Sequence, residues 1–224
     1  MFKLSRAEKR FVRSAGIISL LCLGFYLLRV IFTGSTHFLF VPENLALAWA
    51  ALIFSWLLAK ELKKRPWRSW QNVVLSVLWL FFLPNSWYVL TDFIHVGING
   101  EVSQLYDIVM ISTLVLAGFS LGFASLYKVH KEFLKRRSPR WSTFAVAAIL
   151  LLSSFAIFLG RDLRWSTWDV VTNPSGIILN VSDQVVDPFG HVRTFNVTGL
   201  FFVLLAVMYI AVWQALEPPK KPQG

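Results

Sequence analysis

Leu83-Pro84-Asn85-Ser86-Trp87-Tyr88-Val89-Leu90-Thr91-Asp92-Phe93-Ile94-His95 is the stretch around which the chain is organised. It begins inside an apolar run and closes on a carboxylate and an imidazole, Asp92 and His95. On a helix, Asn85, Tyr88, Asp92 and His95 are spaced by three or four residues and share one face. Pro84 removes a backbone donor and breaks the helix near that point. A polar stripe on a broken apolar helix is costly against lipid, so it is expected to face protein or water.

The surrounding chain is that of a polytopic membrane protein. Of 224 residues, 56% are hydrophobic and only 15% charged, where a soluble domain carries about 25% charged residues. The mean hydropathy is +0.59. The net charge of +10 sits in short basic blocks between apolar runs. That is a topology signal, and no basic face with interleaved stacking aromatics is present, so membrane lipids and not nucleic acid are the expected partners. The lone Cys22 lies in an apolar run. It offers neither a disulfide nor a thiolate metal cluster and reads as a small core residue.

Apolar runs predict six transmembrane helices: about 15–32, 43–59, from Trp70 to about 89, 105–127, 141–160 and 196–215. The first is too long for a signal-peptide core and lacks a following small-residue cleavage site, so it is expected to be retained. With the N-terminus in the cytoplasm, all but four of the 22 lysines and arginines fall on the inner side; Arg29, Arg161, Arg164 and Arg193 are the exceptions. This asymmetry predicts both termini inside. The division is a basic N-terminus over 1–14, a single six-span domain over 15–216 and a cytoplasmic tail over 217–224. Trp67, Trp70, Trp141 and Trp213 are expected in an inner aromatic belt, and Trp87, Trp165 and Trp168 in an outer one. His37 and His130 are expected to be solvated, in an outer and an inner loop. His191, after a turn, is placed to approach the outer face. Gly118 and Gly122, four apart in the fourth span, permit close helix packing or a homo-oligomer.

Depth then selects the polar residues. Counting about 20 residues per span brings Asp92 and His95 to the outer boundary, with Asp107 and the Gly160-Arg161-Asp162-Leu163-Arg164-Trp165-Ser166-Thr167-Trp168-Asp169 segment at the same level. Beyond Pro174, Ile177, Ile178, Val181, Val185 and Phe189 recur at helical spacing. They predict an amphipathic helix lying over the outer face between the fifth and sixth spans.

The order Phe82-x-Pro84-Asn85-x-x-Tyr88-x-x-Thr91-Asp92-x-x-His95, then Tyr106-Asp107, then Gly160-Arg161-x-x-Arg164-Trp165-x-x-Trp168-Asp169 resembles the bacterial integral-membrane family known as domain of unknown function 1361. The likeness runs from about the second span to the sixth, and Trp87 stands where that family often has a second proline. It implies the class and a membrane location, and no agreed activity.

Three readings of the site follow from the residues. In the first, Asp92, His95, Asp107 and Asp162 or Asp169 ligate a divalent metal, and Asp92, His95 and Asp107 are the candidate catalytic groups of a hydrolase or transferase on lipid or envelope substrates. In the second, Arg161 and Arg164 clasp a lipid headgroup or another anion, flanked by Trp165 and Trp168 and supported by Asn85, Tyr88 and Asp169. In the third, Arg161 and Arg164 pair with Asp92 and Asp107 and only staple helices, while Asn85 and Tyr88 satisfy the backbone that Pro84 exposes. No Ser-His-Asp order, phosphate-cradling glycine loop or nucleotide fingerprint is present in the sequence.

Overall fold

The computed structural model describes residues 5–97, 102–162, 172, 173, 175, 176, 179 and 192–217. Among these the protein is all-helical, with six helical stretches long and apolar enough to cross a membrane: Arg6–Thr33, Phe40–Glu61, Trp70–His95, Gln104–Leu134, Pro139–Asp162 and Val192–Leu216. It is a polytopic helical bundle, as its composition predicts. The segment beyond Pro174 expected to form an outer amphipathic helix lies largely outside the described residues.

The chain divides into two compact units, Met1–Ser125 and Leu126–Gly224. In the first, α1 (Arg6–Thr33) opens with a capping box. The Ser5 hydroxyl accepts from the Glu8 N–H at 3.2 Å, and the Ser5 N–H donates to the Glu8 carboxylate at 2.8 Å. Two of the orphan amides of the helix start are thereby satisfied. It stops at Gly34, whose φ of 68° only glycine adopts without strain. A short loop leads into α2 (Phe40–Glu61), with Glu43 in its first turn. The turn after α2 is tied down by Asn72, whose amide donates to the Arg65 and Pro66 carbonyls at 3.1 and 3.0 Å.

The third span comes in pieces. Helix α3 (Trp70–Phe82) ends before Pro84, α4 (Asn85–Tyr88) is a single turn, and Val89–His95 is a 3₁₀ helix. Pro84 donates nothing, while its carbonyl accepts from both Trp87 and Tyr88 N–H groups, at 3.0 and 2.9 Å. The Asn85 amide reaches back to the Phe82 carbonyl at 3.4 Å, near the limit of a useful hydrogen bond. Helix α5 (Gln104–Leu134) follows and continues through the boundary between the units.

Gly118 and Gly122 of α5 are the seat of this irregular stretch. A Cβ at Gly118 would lie 2.5 Å from the Ser86 carbonyl oxygen, and one at Gly122 would lie 2.7 Å from the Ser86 Cβ and 2.8 Å from Trp87 Nε1. Backbone therefore meets backbone at Gly118, and the Ser86 and Trp87 side chains lie on Gly122, as small residues allow. Trp87 is fully buried there and packs on Phe123 at 5.3 Å. This corrects the expectation that Trp87 anchors an outer aromatic belt. Its depth follows from the missing side chains opposite it, which the local sequence around 87 does not reveal. Among the described residues neither the Trp87 Nε1 nor the Ser86 hydroxyl finds a hydrogen-bond partner. Elsewhere in the unit, Trp49 donates to Ser19 at 3.0 Å, and Trp79 donates to Ser125 at 2.6 Å, which in turn donates to the Ala51 carbonyl at 3.1 Å. Such bonds join spans where no hydrophobic drive separates helix from lipid.

In the second unit, α6 (Pro139–Asp162) packs against α7 (Val192–Leu216). The end of α5 also meets α7. His130 is buried, its Nδ1 lies 2.9 Å from the Tyr209 hydroxyl, and its ring sits 4.2 Å from that of Trp213. The solvated loop position expected for His130 is thus corrected. The helix continues beyond Lys128 to Leu134, so position 130 falls on a turn that faces α7. Glu217, just past α7, accepts from Tyr127 and Lys131, each at 2.6 Å. The Lys131 ammonium, then the Tyr127 hydroxyl, hold its carboxyl below the usual range.

Candidate functional site

The first unit carries Arg29, Glu43, Asp92, His95 and Asp107 at one end, where α1 finishes, α2 begins, the third span finishes and α5 begins. Antiparallel succession brings these four ends together. The lysine and arginine blocks of this unit lie at the opposite ends of the same helices. At the centre is Arg29, an isolated cation one turn before the end of α1. Its Nε donates to the Asp107 carboxylate at 3.0 Å, and the two side chains are only 1% and 4% exposed. The guanidinium carbon stands 4.1 Å from the centroid of the Phe38 ring, within reach of a cation–π interaction. Phe38 is itself buried, so the pair is roofed by an aromatic ring from the loop after α1. Next to Asp107, Tyr106 donates its hydroxyl to the Phe25 carbonyl at 2.7 Å and meets the Phe25 ring edge-on at 5.8 Å. These contacts clamp the start of α5 to α1.

The buried Asp92 accepts from the Asn44 amide at 2.9 Å, joining the third span to the first turns of α2. Three residues on, the half-buried His95 lies against Phe40, with ring centroids 4.8 Å apart and planes tilted by 39°. In a 3₁₀ helix residues i and i+3 eclipse, so Asp92 and His95 lie on the same side. Exposed His37 approaches His95 with ring centroids 6.3 Å apart.

Asp92, His95 and Asp107 therefore do come to one end of one unit. Asn85 and Tyr88, half-buried in α4, belong to the stretch seated on the glycine pair, and Asn85 turns to the backbone of Phe82. Asp162 closes α6, where Arg193 pairs with it at 2.5 Å, and Arg161 is half-buried beside it. Arg164, Trp165, Trp168 and Asp169 lie outside the described residues, as does His191. Among the described residues no three histidine, cysteine, aspartate or glutamate side chains converge to hold a metal.

Sequence reasoning overlooks Arg29 and Asn44. The signal for Arg29 was available: a lone arginine in an otherwise apolar span is expensive unless paired. Treating it only as an outer-side charge hides that. Asn44 follows Pro42-Glu43 and reads as part of a helix start, with nothing to single out its amide. The consequence is a change of partner. The guanidinium held by Asp107 comes from α1.

A family model described as a protein of unknown function (DUF1361) matches residues 43–210. No curated protein and no solved structure matches the chain. The matched part holds Asn44, Asp92, His95 and Asp107, while Arg29, His37, Phe38 and Phe40 precede it. The order of motifs in the sequence from Phe82 to Asp169 agrees with that match, as do six helical stretches apolar enough to span a membrane, and the chain belongs to the DUF1361 family of proteins of unknown function.

Proposed function

We propose that this chain is a multi-pass protein of a bacterial inner membrane, with both termini cytoplasmic, that binds a lipid headgroup or another anionic ligand at its extracytoplasmic boundary. Arg161 and Arg164 supply the charge, with Trp165 and Trp168 flanking the ligand and Asp169 orienting the guanidinium groups. The observation that carries the reading is the internal matching of the remaining arginines on that side. Arg29 is spent on Asp107 and Arg193 on Asp162. Asp107 thus has its counter-charge within the first unit, and stapling it does not require Arg161 or Arg164. A metal-dependent hydrolase or transferase built on Asp107 would have to displace a buried guanidinium first, which the binding reading does not ask. A homo-oligomer through Gly118 and Gly122 would compete with Ser86 and Trp87 for the same surface.

Native mass spectrometry of protein purified in mild detergent tests the proposal. An anionic lipid or glycan is expected to co-purify and to be lost from Arg164→Ala, with the bundle still folded. Absence of any such ligand, together with headgroup analogues binding delipidated protein no better than Arg164→Ala, would overturn it.

A further inference from the structure

We propose that His37 and His95 form a transition-metal site with two imidazole donors, selective for zinc, copper(II) or nickel over magnesium and manganese. Their rings stand 6.3 Å apart between centroids with an interplanar angle of 79°. With metal–nitrogen bonds of about 2 Å, two imidazoles sharing one ion have centroids about 5–6 Å apart. The difference is small enough for His37 to close. It is exposed, in the short loop between Gly34 and α2, and can swing without disturbing a packed core. His95 is the fixed half. It ends the 3₁₀ helix and lies against Phe40, whose ring meets the buried Phe38 at 5.4 Å. His37 also rests edge-on against Phe38 at 5.4 Å. Both imidazoles thus share one aromatic bed, which limits the conformational freedom that binding would have to remove.

Donor chemistry decides the ion. Two neutral imidazoles suit zinc, copper and nickel, whereas magnesium and manganese prefer carboxylate and water oxygens. One ring nitrogen of each histidine coordinates, and the N–H of the other is left to donate the hydrogen bond that orients a ligating imidazole. Buried Asp92, one 3₁₀ turn before His95 and held by Asn44, places negative charge on the same side of the helix, which favours a cation nearby. Since no third histidine, cysteine, aspartate or glutamate joins among the described residues, water completes the coordination and the ion keeps open positions. This donor pair differs from an Asp92, His95, Asp107 and Asp162 set, because it leaves the Arg29–Asp107 pair intact. It also stands without the anion-binding proposal, since neither Arg161 nor Arg164 takes part.

Chelator-treated full-length protein in detergent, titrated with zinc chloride, gives the test by calorimetry and by melting temperature. One zinc per chain and a raised melting temperature are expected, with no response to magnesium at the same concentration. His37→Ala and His95→Ala should each weaken binding at least about tenfold, the loss of roughly 1.4 kcal/mol that one donor of two must at minimum supply. His37→Ala sits in an exposed loop and keeps the helical circular dichroism, so its result stands even if His95→Ala misfolds. Cys22 is fully buried and does not compete. No zinc binding by the wild type, unchanged binding by His37→Ala, or loss in His130→Gln or His191→Gln with His37→Ala unaffected would each overturn the proposal.

Discussion

Arg29 shows how one side chain can govern the end of a bundle. Its neighbours in α1, Leu27, Leu28, Ile31 and Phe32, are exposed apolar groups suited to lipid, yet Arg29 is 1% exposed. A guanidinium so placed needs a counter-charge, and Asp107 provides it from a residue 78 positions away. Building such a pair gains little net stability, because both charges lose their hydration. Removing one member is different, since the survivor stays buried and unmatched. Arg29→Met is therefore expected to cost about 3–5 kcal/mol, read as a fall in melting temperature in mild detergent. Arg29→Met with Asp107→Leu should recover most of that loss. A single variant as stable as the wild type would show that the pair does not hold α1 to α5. The same residue explains the limits of sequence reasoning here. Counting from Lys128 draws attention to Asp107, but the identity of its partner depends on which helix packs beside it.

At the level of elements, the third span and α5 are matched to each other. Pro84 denies α3 its next amide, and the chain continues as a single turn and a 3₁₀ helix. An irregular stretch of this kind is tolerated at membrane depth only when protein covers it. Gly118 and Gly122 supply the cover by letting α5 approach Ser86 and Trp87 closely. Gly118→Ala and Gly122→Ala should each cost about 1–3 kcal/mol from overpacking, since the added methyl meets backbone oxygen or an indole that cannot withdraw. A methyl added at Gly199 in α7 would meet nothing within 4 Å, so Gly199→Ala should be neutral or stabilising by up to about 1 kcal/mol. Thermal melts of the three variants decide the matter, and equal behaviour of all three would refute the seat. The glycine spacing was readable in the sequence. That it serves contact within the chain was not, because a four-residue spacing describes a surface and says nothing of what lies on it.

For the whole molecule, six apolar stretches alternate with basic blocks, and this pattern predicts where each loop lies. Cys22 is the sole cysteine and is buried, so the native chain should resist a membrane-impermeant thiol reagent. Thr36→Cys, in the exposed loop after α1, is expected to react in intact cells, and Lys63→Cys, after α2, only once the membrane is opened. The reverse pattern would invert the topology and put the polar end in the cytoplasm. Membrane class and the six helices follow from the sequence alone, because hydropathy, charge blocks and a rise of about 1.5 Å per residue are properties of single segments. Only the tertiary structure assigns Arg29 to Asp107, Asn44 to Asp92, His37 to His95 and Trp87 to the glycine pair. Each of those pairings joins residues on different helices or loops. Which faces meet is fixed by packing between segments, a quantity that no single segment carries.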